Sequence, residues 1–430
     1  MKKTFTLFSS FVLAGCLMAP VAGFSQEMRR CGTLENEAFL RSQDPFYDQK
    51  KEDMERQLQT IIANMQAERI STGQSPFAQY SIPIVYHVVY QNATENVSDA
   101  KVLAMHAQLN MDFARTNTDA GNTPSYFASS AVDMQIQFCL ATKDNNNNPT
   151  NGIVHKSTTV GSFSTNNAVK STASGGDDAW NVQKYFNVWI CDLGSSLLGY
   201  GQFPPPSSNY GVVIHYITVG SLTMHNTSGG QFGYGRTLSH EIGHCFNLIH
   251  IWGDESGCSG TDQCADTPNQ ADATSGCPSG VKTDNCTGAP NGVEYQNYMD
   301  YTDDLCYNMF SNDQKTRAQA AVFQYLTNVA NSAASVCGST AVTENSLSEN
   351  ISLFPNPSTG DVYISTVLAN INSMDLKIYN AIGETVMNKK ITITSSGETK
   401  INLGGKADGI YLFEVKTSEG TITKKVVINR

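Results

Sequence analysis

The stretch "HEIGHCFNLIH", His240–His250, decides how the rest of the chain is read. His240 and His244 are four residues apart, so on a helix both imidazoles fall on one face, within reach of a single metal ion. Glu241 lies beside them but points differently. A carboxylate there can take a proton from an attacking water while zinc polarises a carbonyl. His250 is six residues beyond His244 and off-phase for a continuous helix. It joins the other two only if the chain turns sharply after Phe246, and Asn247 suits such a turn because asparagine tolerates left-handed backbone geometry. The alternative is a helix packed through Ile242, Leu248 and Ile249 with its histidines incidental. That arrangement needs neither the glutamate nor the third histidine. The remaining histidines, His87, His106, His155, His215 and His225, are read as ordinary residues.

The surrounding composition bounds the answer. A chain of 430 residues predicts two or three domains. The net charge of -11 disfavours nucleic acid and anionic membranes as partners and favours cations, calcium included. Lys2 and Lys3 precede an apolar run, Phe5–Phe24, and Gly23 and Ser25 supply small residues before Gln26, so residues 1–25 read as a signal peptide. A membrane anchor is the alternative, but serines and a proline interrupt the run, and no second long apolar segment offers a stable span. "LAGC" ending at Cys16 also matches a lipoprotein processing site. The ten later cysteines imply disulfides in an exported protein, and five of them fall between Cys258 and Cys306 in a region rich in Gly, Asp, Asn, Thr and Pro. Cys139 and Cys191 lie in two predicted strands, from which a bridge between them is expected.

Residues 26–75 are more charged than the rest, with a helical stripe of Leu58, Ile61, Ile62 and Met65 between Gln49 and Glu68. Strands are predicted at Ser81–Tyr90, Val132–Ala141, Tyr185–Leu193 and Tyr210–Gly220, with a helix after Ser98 and another over Ser311–Ala333. Strands interleaved with helices predict a mixed α/β sheet for residues 76–337. Residues 338–350 are polar and aperiodic, a linker. Residues 351–430 switch to short strands joined by Gly, Asn and Ser turns, a small all-β sandwich.

Together with "YQNYMDYTDDLC" (Tyr295–Cys306), the histidine stretch resembles the pappalysin family of the metzincin metallopeptidases. The likeness extends over "FARTNTD" (Phe113–Asp119), "FCLA" (Phe138–Ala141), "GRTLSHEIGH" (Gly235–His244) and "DTP" (Asp266–Pro268). It implies an α/β metzincin-type domain with a mixed twisted sheet and an active-site helix. It further implies His240, His244 and His250 as zinc ligands, Glu241 as general base, Met299 beneath the metal, and Tyr301 as the tyrosine that stabilises the tetrahedral intermediate. Where Asn247 stands, metzincins usually carry glycine. By the same resemblance Cys258 pairs with Cys286 and Cys277 with Cys306. Calcium is expected at Asp262, Asp266 and Thr267. Asp304, with Asp303 as competitor, is expected at the floor of a pocket that selects Arg or Lys after the cut bond. In "RRCGT" (Arg29–Thr33), Cys31 resembles the propeptide cysteine that plugs the zinc site of zymogens; the alternative is a disulfide, with Cys337 as its partner. Residues 26–75 would then be a propeptide, with a cut at Glu68–Arg69.

The C-terminal segment resembles the sorting domain of type IX secretion cargo, through "LFPNPSTGDVYI" (Leu353–Ile364), "LKIYNAIGE" (Leu376–Glu384), "GIYLFEV" (Gly409–Val415) and the terminal "KKVVINR". This implies export across the outer membrane of a Bacteroidetes-like bacterium by the type IX machinery, to the medium or the cell surface, and argues against lipidation at Cys16. The expected protein is a secreted zinc endopeptidase acting on proteins or peptides. A surface adhesion or binding protein with a structural zinc site, and a hydrolase of non-protein amides, are the rival readings.

Overall fold

A computed structural model describes residues 29–72, 79–194, 197–337, 351–366, 373–380, 384–392, 398–417 and 420–430. The signal segment 1–25, with Cys16, and the linker 338–350 lie outside the described residues.

Three elements come first: strand β1 (Arg29–Cys31), helix α1 (Thr33–Gln43) and helix α2 (Tyr47–Thr72). The bond between Glu68 and Arg69 therefore lies inside α2. A mixed sheet follows, formed by β2 (Tyr80–Tyr90), β3 (Ile136–Leu140), β4 (Ile153–Ser157), β5 (Phe186–Cys191), β6 (Leu197–Tyr200) and β7 (Gly211–His215). Its order is β1-β6-β7-β5-β2-β3, with β4 also pairing β2. All pairings are parallel except that of β6 with β7. Strand β2 is nearly continuous in Ile, Val and Tyr and buried from Ile82 to Val89, as a central parallel strand covered on both faces must be. The expected strand at Tyr210–Gly220 stops at His215, where a 3-10 turn takes over.

Helix α3 (Asp99–Phe113) packs Val102, Met105, Leu109 and Phe113 onto the sheet beside helix α4 (Arg236–Cys245), all ten residues of which are buried. Ser98 precedes α3 but makes no side-chain cap bond. The helix expected over Ser311–Ala333 is two, α5 (Asn312–Tyr325) and α6 (Thr327–Val336), and α5 opens with a Ser311/Gln314 capping box. The apolar stripe of α2 lies on α5: Met54 and Leu58 are buried against Ala320 and Ala321, flanked by Ile61, Ile62 and Met65.

The expected Cys139–Cys191 bridge is corrected. Cys139 is bonded to Cys337, with Cα atoms 6.0 Å apart, while Cys191 is a free, buried thiol. Strand β2 runs between β3 and β5, and Cys139 lies beside Pro83 whereas Cys191 follows the Val88–Ile190 pair, so the two cysteines are separated by two strand spacings of about 4.8 Å and by roughly 20 Å along the strands, beyond disulfide reach. The same bond removes Cys337 as a partner for Cys31. Cys258–Cys286 and Cys277–Cys306 are both bonded.

The C-terminal unit has two antiparallel sheets. The first is built from β8 (Ile351–Phe354), β9 (Asp361–Thr366) and β12 (Glu398–Asn402), in the order β12-β9-β8. The second contains β10 (Ser373–Asn380), β11 (Thr385–Thr392), β13 (Gly409–Thr417) and β14 (Gly420–Ile428), in the order β11-β10-β13-β14. Alternate residues of both, such as Val362, Leu376, Ile378, Phe413 and Val426, fill the core between them.

Candidate metal centre and cleft

Helix α4 ends in a way that brings the third histidine back. Phe246 leaves helical geometry and Asn247 takes φ 63°. The Asn247 N–H donates to His244 O (2.9 Å) and the Leu248 N–H to Gly243 O (2.9 Å), the paired bonds of a Schellman turn. The reversed chain carries His250 under the two helical imidazoles.

The Nε2 atoms of His244 and His250 are 3.1 Å apart, and those of His250 and His240 3.2 Å. Each ring is oriented from behind. His240 Nδ1 donates to Tyr298 O (2.6 Å), His244 Nδ1 to Leu248 O (2.8 Å) and His250 Nδ1 to the Asp254 carboxylate (2.5 Å). Carbonyls and carboxylates accept, so the ring protons sit on Nδ1 and three Nε2 lone pairs face one another. Burial holds His250 down to about 3 and His244 well below its ordinary value, which keeps those two rings neutral. Three convergent lone pairs with no proton between them are a donor set for a cation. Tetrahedral zinc bound at about 2.0–2.1 Å spaces its nitrogens by roughly 3.3 Å, so these residues fit zinc. The Cys31 thiol completes a four-residue cluster with the histidines, every ligand atom within 4.8 Å of the others.

Glu241 points into the space beside this cluster. Its Oε2 accepts from Thr33 Oγ1 (3.2 Å) and from the Cys31 thiol (3.4 Å). Burial raises its carboxyl to about 8, with the bonds from Cys31 and Thr33 pulling the other way. Met299 is fully buried under the helix. A Cβ on Gly243 would meet its sulfur at 2.5 Å, so only glycine admits so close an approach there. The Tyr301 ring lies 5.8 Å from that of His240 and 4.9 Å from that of His250, and Trp252 stacks on His250 at 4.4 Å.

Asp304 is buried and lines a small cavity with His240, Glu241, Tyr301, Leu198 and Phe232. Its Oδ2 accepts from the backbone N–H groups of Tyr234 (2.9 Å) and Arg236 (3.3 Å), which fixes the carboxylate at the start of α4. Arg236 is itself fully buried, paired with Asp112 (3.1 Å) and Asp119 (2.9 Å). Asp303 is absent from that cavity's lining. Among the described residues, His, Cys, Asp and Glu ligand atoms gather compactly at Cys31 and the three histidines and not around Asp262 and Asp266, the carboxylates expected to hold calcium with Thr267. Asp262 accepts from Cys264 N and Thr267 Oγ1, and Asp266 from Ser311 Oγ and Asp313 N.

Sequence reasoning missed Asp254, which orients His250, and the link from α2 into the site. Glu55 makes two bonds to Arg317 (2.8 and 2.6 Å) and accepts from Asn247 Nδ2 (3.3 Å), while Arg317 Nε donates to Asn247 O (2.6 Å). Asp254 was legible in principle, four residues after His250. Glu55 and Arg317 are 262 positions apart and carry no local signal.

A three-histidine centre at the bend of a buried helix, with a carboxylate beside it and a methionine below, on a mixed α/β sheet, defines a zinc metallopeptidase of the metzincin type. Residues 170–323 match the peptidase family described as pregnancy-associated plasma protein-A, and residues 352–429 match the secretion system C-terminal sorting domain. An extracellular metalloprotease of Neurospora crassa is 34% identical over 286 residues, 64% of this chain and 85% of that protein. The chain spans about half of two other fungal extracellular metalloproteases, 47% of one from Pyricularia oryzae and 48% of one from Colletotrichum graminicola. Mature mirolysin of Tannerella forsythia, solved with a cleaved peptide, is 44% identical with a TM-score of 0.59, covering 61% of this chain and all of that one. Promirolysin of the same organism is 40% identical with a TM-score of 0.64, covering 72% of this chain and all of that one. The chain belongs to this metallopeptidase family and carries a sorting domain at its C-terminus.

Proposed function

We propose that the protein is an exported zinc endopeptidase, made as a zymogen, that cuts peptide bonds before Arg or Lys. The observation that carries the reading is the convergence of three imidazole Nε2 atoms beside a buried carboxylate, Glu241. Bound at the three histidines, zinc supplies a Lewis acid that polarises the scissile carbonyl and acidifies water. Glu241 takes the proton of the attacking water and passes it to the leaving amine. The Tyr301 hydroxyl, on a ring beside those of His240 and His250, donates to the developing oxyanion. Asp304 faces the substrate residue that follows the cut; a buried carboxylate held by backbone N–H groups pairs well with a guanidinium or ammonium.

Residues 26–75 act as the propeptide. Support comes from β1, which pairs with the cleft strand β6 and carries Cys31 to the cluster, and from promirolysin matching a larger share of the chain than the mature enzyme does. Calcium at Asp262, Asp266 and Thr267 remains part of the proposal. Asp262 is buried, and Glu294, fully buried near both aspartates, leaves its Oε1 without a hydrogen-bond partner in the structure. A calcium-selective chelator should lower the melting temperature while zinc content is unchanged; an unchanged melting temperature removes calcium from the reading. Export follows from the sorting domain.

The test is a map of new N-termini released from an unfolded protein mixture, with Glu241→Ala and Asp304→Ala in parallel. Termini beginning with Arg or Lys, absent with Glu241→Ala and scrambled with Asp304→Ala, are expected. No cleavage by zinc-loaded, processed protein overturns the reading.

A further inference from the structure

The cleft strand β6 offers two kinds of surface, one after the other. Up to Gly201 it presents free backbone groups, and the N-terminal segment uses them: Arg29 pairs with Leu197, Cys31 with Gly199, and Gly32 N–H donates to Gly199 O (2.8 Å). Gly201 N–H then donates to Thr33 Oγ1 (2.9 Å). Beyond Gln202 the chain reads Phe203-Pro204-Pro205-Pro206, and three prolines in a row present no N–H at all. Strand pairing cannot continue along them, so whatever binds there is held by side-chain packing.

That wall is apolar and close to the metal cluster. The Phe203 ring meets His244 edge-on, with centroids 5.3 Å apart, and Tyr210 anchors the far side by donating its hydroxyl to Cys245 O. Leu40, Tyr47 and Lys51 of the N-terminal segment cover it, with Lys51 Nζ 4.8 Å from the centre of the Phe203 ring. They do not fill it: a cavity of about 300 Å³ is left between them and the wall.

We propose that Phe203, Pro204, Pro206 and Tyr210 form a specificity pocket for an apolar or aromatic substrate residue on the N-terminal side of the cut bond. This rests on the peptidase reading above. On that reading the basic residue after the cut lies on the Asp304 side of Glu241, which lines the Leu198–Asp304 cavity, while His244, one turn further along α4, meets Phe203. The substrate chain before the cut therefore runs past Gly201 toward Phe203. Phe203 is four residues beyond Gly199, so the selected position falls within four residues of the cut. There, backbone pairing gives way to side-chain recognition. Removal of the N-terminal segment uncovers a preformed pocket, since the proline run holds its own shape.

The test is cleavage-site profiling of a peptide library by processed wild-type protein and by Phe203→Leu, Phe203→Ala and Pro206→Asp, with zinc content measured for each. The wild type should favour Phe, Tyr or Leu over Gly by about tenfold or more at one position before the cut. Phe203→Ala should reduce that ratio to about twofold and Phe203→Leu should retain an aliphatic preference, with the choice of residue after the cut unchanged. Pro206→Asp, on a half-exposed wall residue, should shift the same position toward Lys or Arg. A flat wild-type profile before the cut overturns the proposal, as does a profile unmoved by all three substitutions. A wild type that cuts with no basic preference but keeps the apolar one refutes only the Asp304 assignment. A wild type that cuts nothing refutes the peptidase reading, and this proposal with it.

Discussion

Glu55 should be a latch on latency, and its loss can be sized. Arg317 is nearly fully buried, while the Glu55 side chain is 31% exposed and bonds it through both carboxylate oxygens. Glu55→Ala leaves a buried guanidinium with Asn247 O as its remaining bond. Breaking a fully buried pair from one side costs about 3–5 kcal/mol. Partial exposure of Glu55 screens the interaction, so about 2–3 kcal/mol is a fair figure for the docking of α2. At about 1.4 kcal/mol per decade this weakens docking by roughly 30- to 150-fold. The assay is the rate at which zinc-loaded, full-length zymogen loses residues before β2 at pH 7, with amide exchange in α2 followed on the Glu241→Ala background, which cannot process itself. Processing should accelerate and α2 should exchange faster, with Glu55→Gln intermediate because it keeps one hydrogen bond. The contact also has a pH signature. Burial opposes ionisation of Glu55, but the bonds and charge of Arg317 outweigh it and hold the carboxyl at about 2. A depressed docked value means that the contact stabilises fully above the free value of about 4.3 and is lost as pH falls toward 2. Exchange in α2 of the Glu241→Ala protein should rise across that window, and with Glu55→Gln the rise should shrink. Unchanged processing and unchanged exchange in Glu55→Ala would refute the latch.

Asp254→Ala should weaken zinc binding about 10- to 100-fold in chelator competition, because His250 loses the group that sets its tautomer and orientation, while the circular dichroism spectrum is kept. Replacing Cys139 and Cys337 together by Ala should destabilise the full chain by about 2–5 kcal/mol in urea, since their bond closes a separation of 198 residues. Asn247→Gly should preserve zinc affinity, whereas Asn247→Val should reduce both zinc affinity and melting temperature, because a β-branched residue resists φ 63°.

Local chemistry made the centre readable. Helical period placed His240 and His244 on one face, and the off-phase His250 demanded a turn at a residue tolerant of left-handed geometry. Continuous Ile and Val runs and the change of composition after residue 350 were enough for an α/β domain followed by a β-sandwich. Strand ends were less legible: the apolar run after Tyr210 contains both β7 and a 3-10 turn, which share the same hydrophobic pattern. The Cys139 pairing failed for a related reason. Strand membership can be read from side-chain alternation, but strand order cannot, and β2 between β3 and β5 is what separates Cys139 from Cys191.

By itself, then, the sequence determined which residues could carry chemistry, because ligand type, helical spacing and turn propensity act over a few neighbouring positions. Only the tertiary structure decided which distant groups meet. Glu55 reaches Arg317, Cys139 reaches Cys337, Asp304 comes to the mouth of α4, and the proline wall lies beside His244. Each of these contacts is set by how sheet and helices pack, a property of the whole chain that no local window contains.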